Sequence, residues 1–331
     1  MLKKIVLSVV LVVVLVASGG LGYLLLRKPA MRAPAAIKVE TTPARLARGK
    51  YIFENISDCT GCHSERDFSK FGGPVVEGGR GKGTVFPPEL GLPGTVVAPN
   101  ITPDVETGIG ACTDGEKIRA IREGVSRDGR ALFPMMPYAY FRSMSDEDVY
   151  SVVAYLNSLP PVKHAVPRTK LNFPVSLLVK GSPKPLDGPV PPPDRTNPVK
   201  YGQYLVTVAG CADCHTPAEK GQIVESQRFA GGQEFRLGPY LAVSANISSD
   251  AETGIGAWTE ERFVNKFVNY RTFAQGTPPK MSQANFTLMP WLGFSQLPVE
   301  DLKAIYAYLR TVAPRSNKVE THPTVVPPAG S

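Results

Sequence analysis

The chain has 331 residues, 43% of them apolar and 20% charged, which excludes wholesale disorder and a polytopic membrane protein and allows two domains of ordinary size plus extra segments. The formal net charge is +8, but Lys and Arg are scattered rather than clustered with aromatics, so nucleic acid is not indicated. Four of the basic residues, Lys3, Lys4, Arg27 and Lys28, flank a single apolar run.

That run, Ile5 to Leu26, has 22 positions without a charge. As a helix it would be about 33 Å long, enough to cross a hydrocarbon core of about 30 Å. The rival reading is a cleaved signal peptide, for which Ala17-Ser18-Gly19 offers small residues. Hydrophobicity continues through Leu21 to Leu26, beyond the usual apolar region of a signal, and this favours an uncleaved anchor. Residues 1–28 are thus an anchor or signal, and the Ala/Pro-rich stretch 29–42 a tether.

A short helical stretch, Ala44 to Asn55, leads into Cys59-Thr60-Gly61-Cys62-His63, and Tyr201 to Ala209 leads into Cys211-Ala212-Asp213-Cys214-His215. Two cysteines three apart with histidine directly after the second form the attachment pattern of a c-type haem. On a helix, positions i and i+3 share a face, so both thiols can add to the vinyl groups along one porphyrin edge, and the next residue comes under the iron. His63 and His215 are therefore the candidate proximal ligands. A zinc ribbon would bring its Cys-x-x-Cys pairs within about 15 to 20 residues, whereas most of a domain separates these. No run of β-branched residues precedes either motif, which argues against a thioredoxin-like site.

Each motif has a methionine downstream: Met136 in Met136-Pro137-Tyr138 and Met289 in Met289-Pro290-Trp291, 73 and 74 residues after the respective histidine. A thioether is a soft, neutral ligand that completes a low-spin haem and raises its potential. Met135 and Met281 compete for this role, but only Met136 and Met289 share the Met-Pro-aromatic frame. Gly49 and Tyr51 of the first unit match Gly202 and Tyr204 of the second, and a small residue there would let the N-terminal helix cross the C-terminal one closely.

Between histidine and methionine lies a repeated segment, Asn100 to Gly110 and Asn246 to Gly256, dense in Asn, Asp, Thr and Gly, which marks tight turns folded over the haem edge. Cation binding by Asp104 and Glu106, or Asp250 and Glu252, is the sharper alternative. Thr113 and Thr259 are expected to cap short helices. Cys112, whose repeat partner is Trp258, fits a half-buried packing site, iron ligation being its alternative. Val149, Val152, Val153 and Leu156, and 153 positions later Leu302, Ile305, Tyr306 and Leu309, form buried helical stripes. Ser145 with Asp148 suggests a capping box, and Pro298 occupies the matching helix start. Gly181 to Pro198 forms a semi-rigid spacer, and His164 and His322 are expected to face solvent.

The repeated Asn-Ile-[Thr/Ser]-x-Asp-x-Glu-Thr-Gly-Ile-Gly-Ala segment, the Met-Pro-Tyr and Met-Pro-Trp sites and the Ala-Tyr-Leu helices resemble the cytochrome c subunits of membrane-bound alcohol and related dehydrogenases, over residues 43 to 314; Phe173-Pro174 resembles that family's connector. The resemblance implies class I cytochrome c domains, His/Met ligation of both irons, and electron passage from a periplasmic dehydrogenase towards quinone or a terminal oxidase. This chain has two haem sites where the best-known members carry three. The expected architecture is all-α, with two tandem cytochrome c domains, 43–163 and 198–314, behind a transmembrane helix, joined by a Pro-rich connector 164–197 and followed by a tail 315–331. Cys59, Cys62, Cys211 and Cys214 would hold two covalently bound haem c groups. Haem attachment outside the cytoplasmic membrane places the domains in the periplasm, with no catalytic activity of their own. A dihaem peroxidase-like oxidoreductase with one open iron, or a dihaem subunit of a haem-copper oxidase, are the competing functions.

Overall fold

A computed structural model describes residues 2–219 and 221–324; Met1, Lys220 and 325–331, the end of the expected tail, lie outside the described residues. The first helix, α1 (Leu2–Leu26), is unburied along its length. Among the described residues it is the one helix long and apolar enough to cross a membrane, by length and composition.

The stretch after it does not stand off from the rest. Val39 is only 6% exposed, belongs to the core and donates its N–H to the Asp114 carboxylate at 2.9 Å. The Ala35 carbonyl lies so close to Gly115 that a Cβ there would approach it to 2.0 Å. Small side chains, which suggest looseness in a sequence, here let backbone lie on backbone.

Two similar halves follow. The first holds α2 (Pro43–Tyr51), a π-turn over Ile52–Ile56, α3 (Cys59–His63), the strands β1 (Thr84–Val85), β2 (Gly94–Thr95) and β3 (Val97–Ala98), then α4 (Asp114–Glu123), α5 (Tyr138–Phe141) and α6 (Asp146–Ser158). The connector contributes β4 (Lys170–Leu171) and α7 (Val175–Leu178). The second half holds α8 (Pro198–Val208), α9 (Cys211–His215), the strands β5 (Ala218–Glu219), β6 (Gln222–Ile223), β7 (Glu234–Leu237) and β8 (Tyr240–Val243), then α10 (Glu260–Val268), α11 (Arg271–Gln275), α12 (Trp291–Phe294) and α13 (Val299–Leu309). The chain is mostly helical, with antiparallel pairs β1–β3, β2–β4, β5–β6 and β7–β8 that the helical expectation did not include.

In each half the first long helix crosses the last, α2 on α6 and α8 on α13. A Cβ on Gly49 would meet the Ser151 carbonyl oxygen at 2.0 Å, and one on Gly202 the Ala304 oxygen at 1.8 Å, so glycine is required at both crossings. Val149, Val152, Val153 and Leu156 are all buried, as are Leu302, Ile305 and Leu309. Tyr306 is half-buried and donates its hydroxyl hydrogen to the Trp258 carbonyl at 2.5 Å. Thr113 and Thr259 cap α4 and α10, Thr113 in a full capping box with Glu116. At α6 only half of the expected box forms: Ser145 accepts from the Asp148 N–H, but the Asp148 carboxylate turns away to Arg48 and Tyr204.

That diversion belongs to the contact between the halves. Tyr204 donates to Asp148 at 2.5 Å, and at the equivalent positions Tyr51 donates to Asp301 at 2.5 Å. Burial and the neighbouring carboxylate push both phenols well above the ordinary tyrosine range, so they stay protonated donors. Arg48 adds two bonds of 2.8 Å to Asp148. One continuous apolar core runs through both halves beneath this contact.

Candidate functional site

Both motif helices begin at a residue of positive φ, Asp58 (40°) before α3 and Gly210 (66°) before α9. The Asp58 carboxylate accepts from Thr60 Oγ1 at 2.8 Å and from the Gly61 N–H at 3.1 Å, closing the first turn around the cysteine pair. Burial raises its pKa, opposed by Arg66 and these two donors. A Cβ at position 61 would stand 2.3 Å from that carboxylate, which explains the glycine inside the first motif.

The histidines are held alike. His63 Nδ1 lies 2.8 Å from the Pro99 carbonyl oxygen, and His215 Nδ1 2.7 Å from that of Ala245. A carbonyl only accepts, so Nδ1 carries the hydrogen and Nε2 keeps its lone pair for a metal. Burial lowers both pKa values, partly offset by the carbonyl contact, and so favours the neutral, ligating ring.

Pro99 and Ala245 each directly precede the repeated Asn segment, and the asparagines fix them. Asn100 Nδ2 donates to the Val162 carbonyl at 2.7 Å and to Thr107 Oγ1 at 3.1 Å, while Asn246 Nδ2 donates to the Arg315 carbonyl at 2.6 Å and to Thr253 Oγ1 at 3.0 Å. The segment thus ties the histidine's acceptor to the chain leaving the last helix of each half. Asp104 and Asp250 are occupied within it, each accepting from the N–H and hydroxyl of the following threonine at 2.7 Å. Among the described residues no group of three His, Cys, Asp or Glu could hold a metal ion.

The methionine sites also match. The Tyr138 N–H bonds to the Met136 carbonyl at 2.8 Å across Pro137 (φ −82°, ψ 49°), and the Trp291 N–H to the Met289 carbonyl at 2.7 Å across Pro290 (φ −77°, ψ 57°). These are inverse γ-turns, for which proline presets φ. Met136, Met289, Cys59 and Cys211 all pack against the common core. Met281 is buried, and its N–H bonds to the Ser69 carbonyl of the other half at 2.8 Å, a packing role. Met135 is half-buried.

Cys112 and Trp258 are both half-buried and make the same turn bond, to Ile109 and Ile255 at 3.0 Å, as expected of a packing position. His164 and His322 differ from expectation: each is half-buried with a ring nitrogen on a carbonyl, of Lys82 at 2.9 Å and of Phe286 at 3.1 Å. The chain ends of the two halves thereby gain side-chain anchors. The two motifs themselves approach one another, because Ser57, before the first, donates to the Val208 carbonyl before the second at 3.3 Å.

Two thiols three apart on a helix, an imidazole with Nδ1 on a carbonyl and a thioether on a preset turn are donors of the kind a covalently attached haem takes, and each half contains them. The comparisons agree. The cytochrome c family model matches residues 46–160 and 199–313. The chain is 32% identical over 287 residues to a subunit of the nicotinate dehydrogenase of Pseudomonas putida, covering 81% of this chain and 21% of that protein. It is 29% identical over 245 residues to the cytochrome c subunit of the alcohol dehydrogenase (quinone) of Gluconobacter oxydans, covering 70% and 48%. A diheme cytochrome c-type protein of Cereibacter sphaeroides is 29% identical over 309 residues, covering 90% and 95%. The chain therefore spans half or less of those two dehydrogenase subunits and nearly all of the dihaem protein. It belongs to the cytochrome c family, with a cytochrome c domain in each half and two covalently bound haem c groups.

Proposed function

We propose that this chain, anchored by α1 with its domains in the periplasm, carries single electrons from a dehydrogenase partner towards a quinone or a terminal oxidase and catalyses no reaction of its own. In this reading the domains are 43–163 and 198–314, joined by the connector 164–197. Cys59 and Cys62 would hold one haem and Cys211 and Cys214 the other, with His63 and Met136, and His215 and Met289, supplying the imidazole and thioether donors to each iron. When bound, each group supplies a one-electron change at its iron. The residues do the rest: the Pro99 and Ala245 carbonyls hold each imidazole in one tautomer, and the Met-Pro turns hold each thioether against the core. A metal site closed on both sides by protein changes charge with little rearrangement and admits no substrate, which suits a carrier.

The observation that carries this reading is the duplication of the whole ligand-holding arrangement, carbonyl, imidazole and γ-turn methionine, without one half departing from the other. A peroxidase-like site needs one half to differ. The relatives' names, a nicotinate dehydrogenase subunit and a subunit of an alcohol dehydrogenase (quinone), support a dehydrogenase as donor and a quinone as acceptor. The test is carbon monoxide added to the dithionite-reduced native protein, followed in the visible spectrum against total haem. No spectral change at two haems per chain is expected, and binding at either haem overturns the carrier reading.

A further inference from the structure

We infer that the connector segment 172–180 is a second membrane contact, in which Phe173 and Leu178 enter the lipid interface beside the point where α1 leaves the bilayer. The inference rests on α1 being the membrane anchor. Three observations place the segment at that level.

Phe173 is 74% exposed, the highest value among the large apolar side chains described outside α1, and Leu178 is 56% exposed. Val179, the residue after Leu178, is buried. The segment therefore sets Val179 into the protein and turns Phe173 and Leu178, on either side of the short helix α7, outward, as an interfacial element does.

The second observation is what the segment touches. Lys180 Nζ donates to the Leu25 carbonyl at 2.9 Å and reaches that of Leu24 at 3.5 Å, and the Arg27 guanidinium lies against Gly181. Leu24 and Leu25 belong to the last turn of α1, whose carbonyls lack helical partners. A cation placed there satisfies them and suits the negative end of the helix. It also fixes α7 beside the last turn of the span, the depth at which headgroups meet acyl chains.

The third is charge. From residue 149 to 186 the chain has no Asp or Glu but five basic residues; Lys163 and Arg168 pair with Glu106 and Asp128 and Lys180 bonds to α1, which leaves Lys170 and Lys184 for the lipid surface. Lys170 and Lys184, on either side of α7, are exposed. An apolar wedge framed by lysines fits a bilayer containing anionic lipid.

The test uses the full-length chain in nanodiscs of phosphatidylethanolamine and phosphatidylglycerol, with a photo-crosslinking phenylalanine analogue placed singly at positions 15, 105, 173 and 178. Position 15 lies within α1, and Val105 is a control, 69% exposed but remote in sequence from the connector. After illumination, mass spectrometry should find lipid adducts at 15, 173 and 178 and none at 105. Adducts at 15 without any at 173 and 178 would overturn the second contact and leave the anchor standing. Silence at 15 would remove the anchor itself. Chain-to-chain adducts at 173, or lipid adducts at 105 as strong as at 173, would also overturn the inference.

Discussion

Replacing Met136 or Met289 by alanine removes one thioether and leaves both cysteines of the same motif in place. Haem should stay attached at two per chain, and the reduced variant should bind carbon monoxide at one iron, as read from the visible spectrum; a variant that still excludes it has its sixth ligand elsewhere. Asn100→Ala acts a step further back. Asn100 is 1% exposed, and its loss takes one donor from the Val162 carbonyl and the acceptor from the buried Thr102 N–H, loosening the chain that places the Pro99 carbonyl on His63. A cost of about 1–3 kcal/mol is expected in denaturant unfolding, with Asn246→Ala similar. The two covalently bound haem groups were legible in the sequence, because attachment dictates the Cys-x-x-Cys-His pattern, and the proposed histidine and methionine ligands rest on the matched local geometry of the two halves. The carbonyls of Pro99 and Ala245 were not legible, since a backbone acceptor leaves no mark in residue type. Their one trace was the asparagine that follows each, and its repetition suggested a turn where it also anchors an acceptor.

At the helix crossings, Gly49→Ala and Gly202→Ala each force a methyl group into a carbonyl oxygen. Overpacking of this kind costs about 1–3 kcal/mol, and thermal melting followed by far-ultraviolet circular dichroism should show it for both, whereas Gly188→Ala, with open space around its Cβ position, should melt like the native chain. The long helices were legible from their stripes and caps, because their buried faces repeat at helical period within one segment. The hairpin β7–β8, turning at Gly238 (φ 54°), was not, since each strand has only four residues and no strict alternation of burial. Nor did the composition of 29–42 reveal its packing, because alanine and proline read alike in a loose linker and in a close backbone layer. Half the expected capping box at Ser145 is missing for another reason: its carboxylate is drawn to a partner distant in sequence, Arg48.

Across the whole molecule, the tyrosine–aspartate pairs are the buried side-chain contacts between the halves that can be tested singly. Tyr51→Phe together with Tyr204→Phe leaves two buried aspartates each without one donor, for about 1–3 kcal/mol apiece. Asp148→Ala abandons the guanidinium of Arg48, whose side chain is 19% exposed, and should cost about 3–5 kcal/mol. In calorimetry the native chain should unfold its halves together, and the aspartate variant should separate them into two transitions; one unchanged transition would show that the remaining contacts between the halves suffice to couple them. The two-unit organisation was legible from the repeat, but the way the units meet was not, because the residues that join them are equally plausible as surface polar groups until both halves are present.

The tyrosine of each half meets the aspartate of the other at equivalent positions, 51 with 301 and 204 with 148. A surface that pairs with its own copy in this exchanged fashion is that of a symmetric homodimer. The two halves thus meet in the geometry of a symmetric homodimer, and covalent linkage makes that encounter independent of concentration. Fusion also ends the interchangeability of the two copies. Once joined they can diverge, as the glycine before α9 and the aspartate before α3 already show.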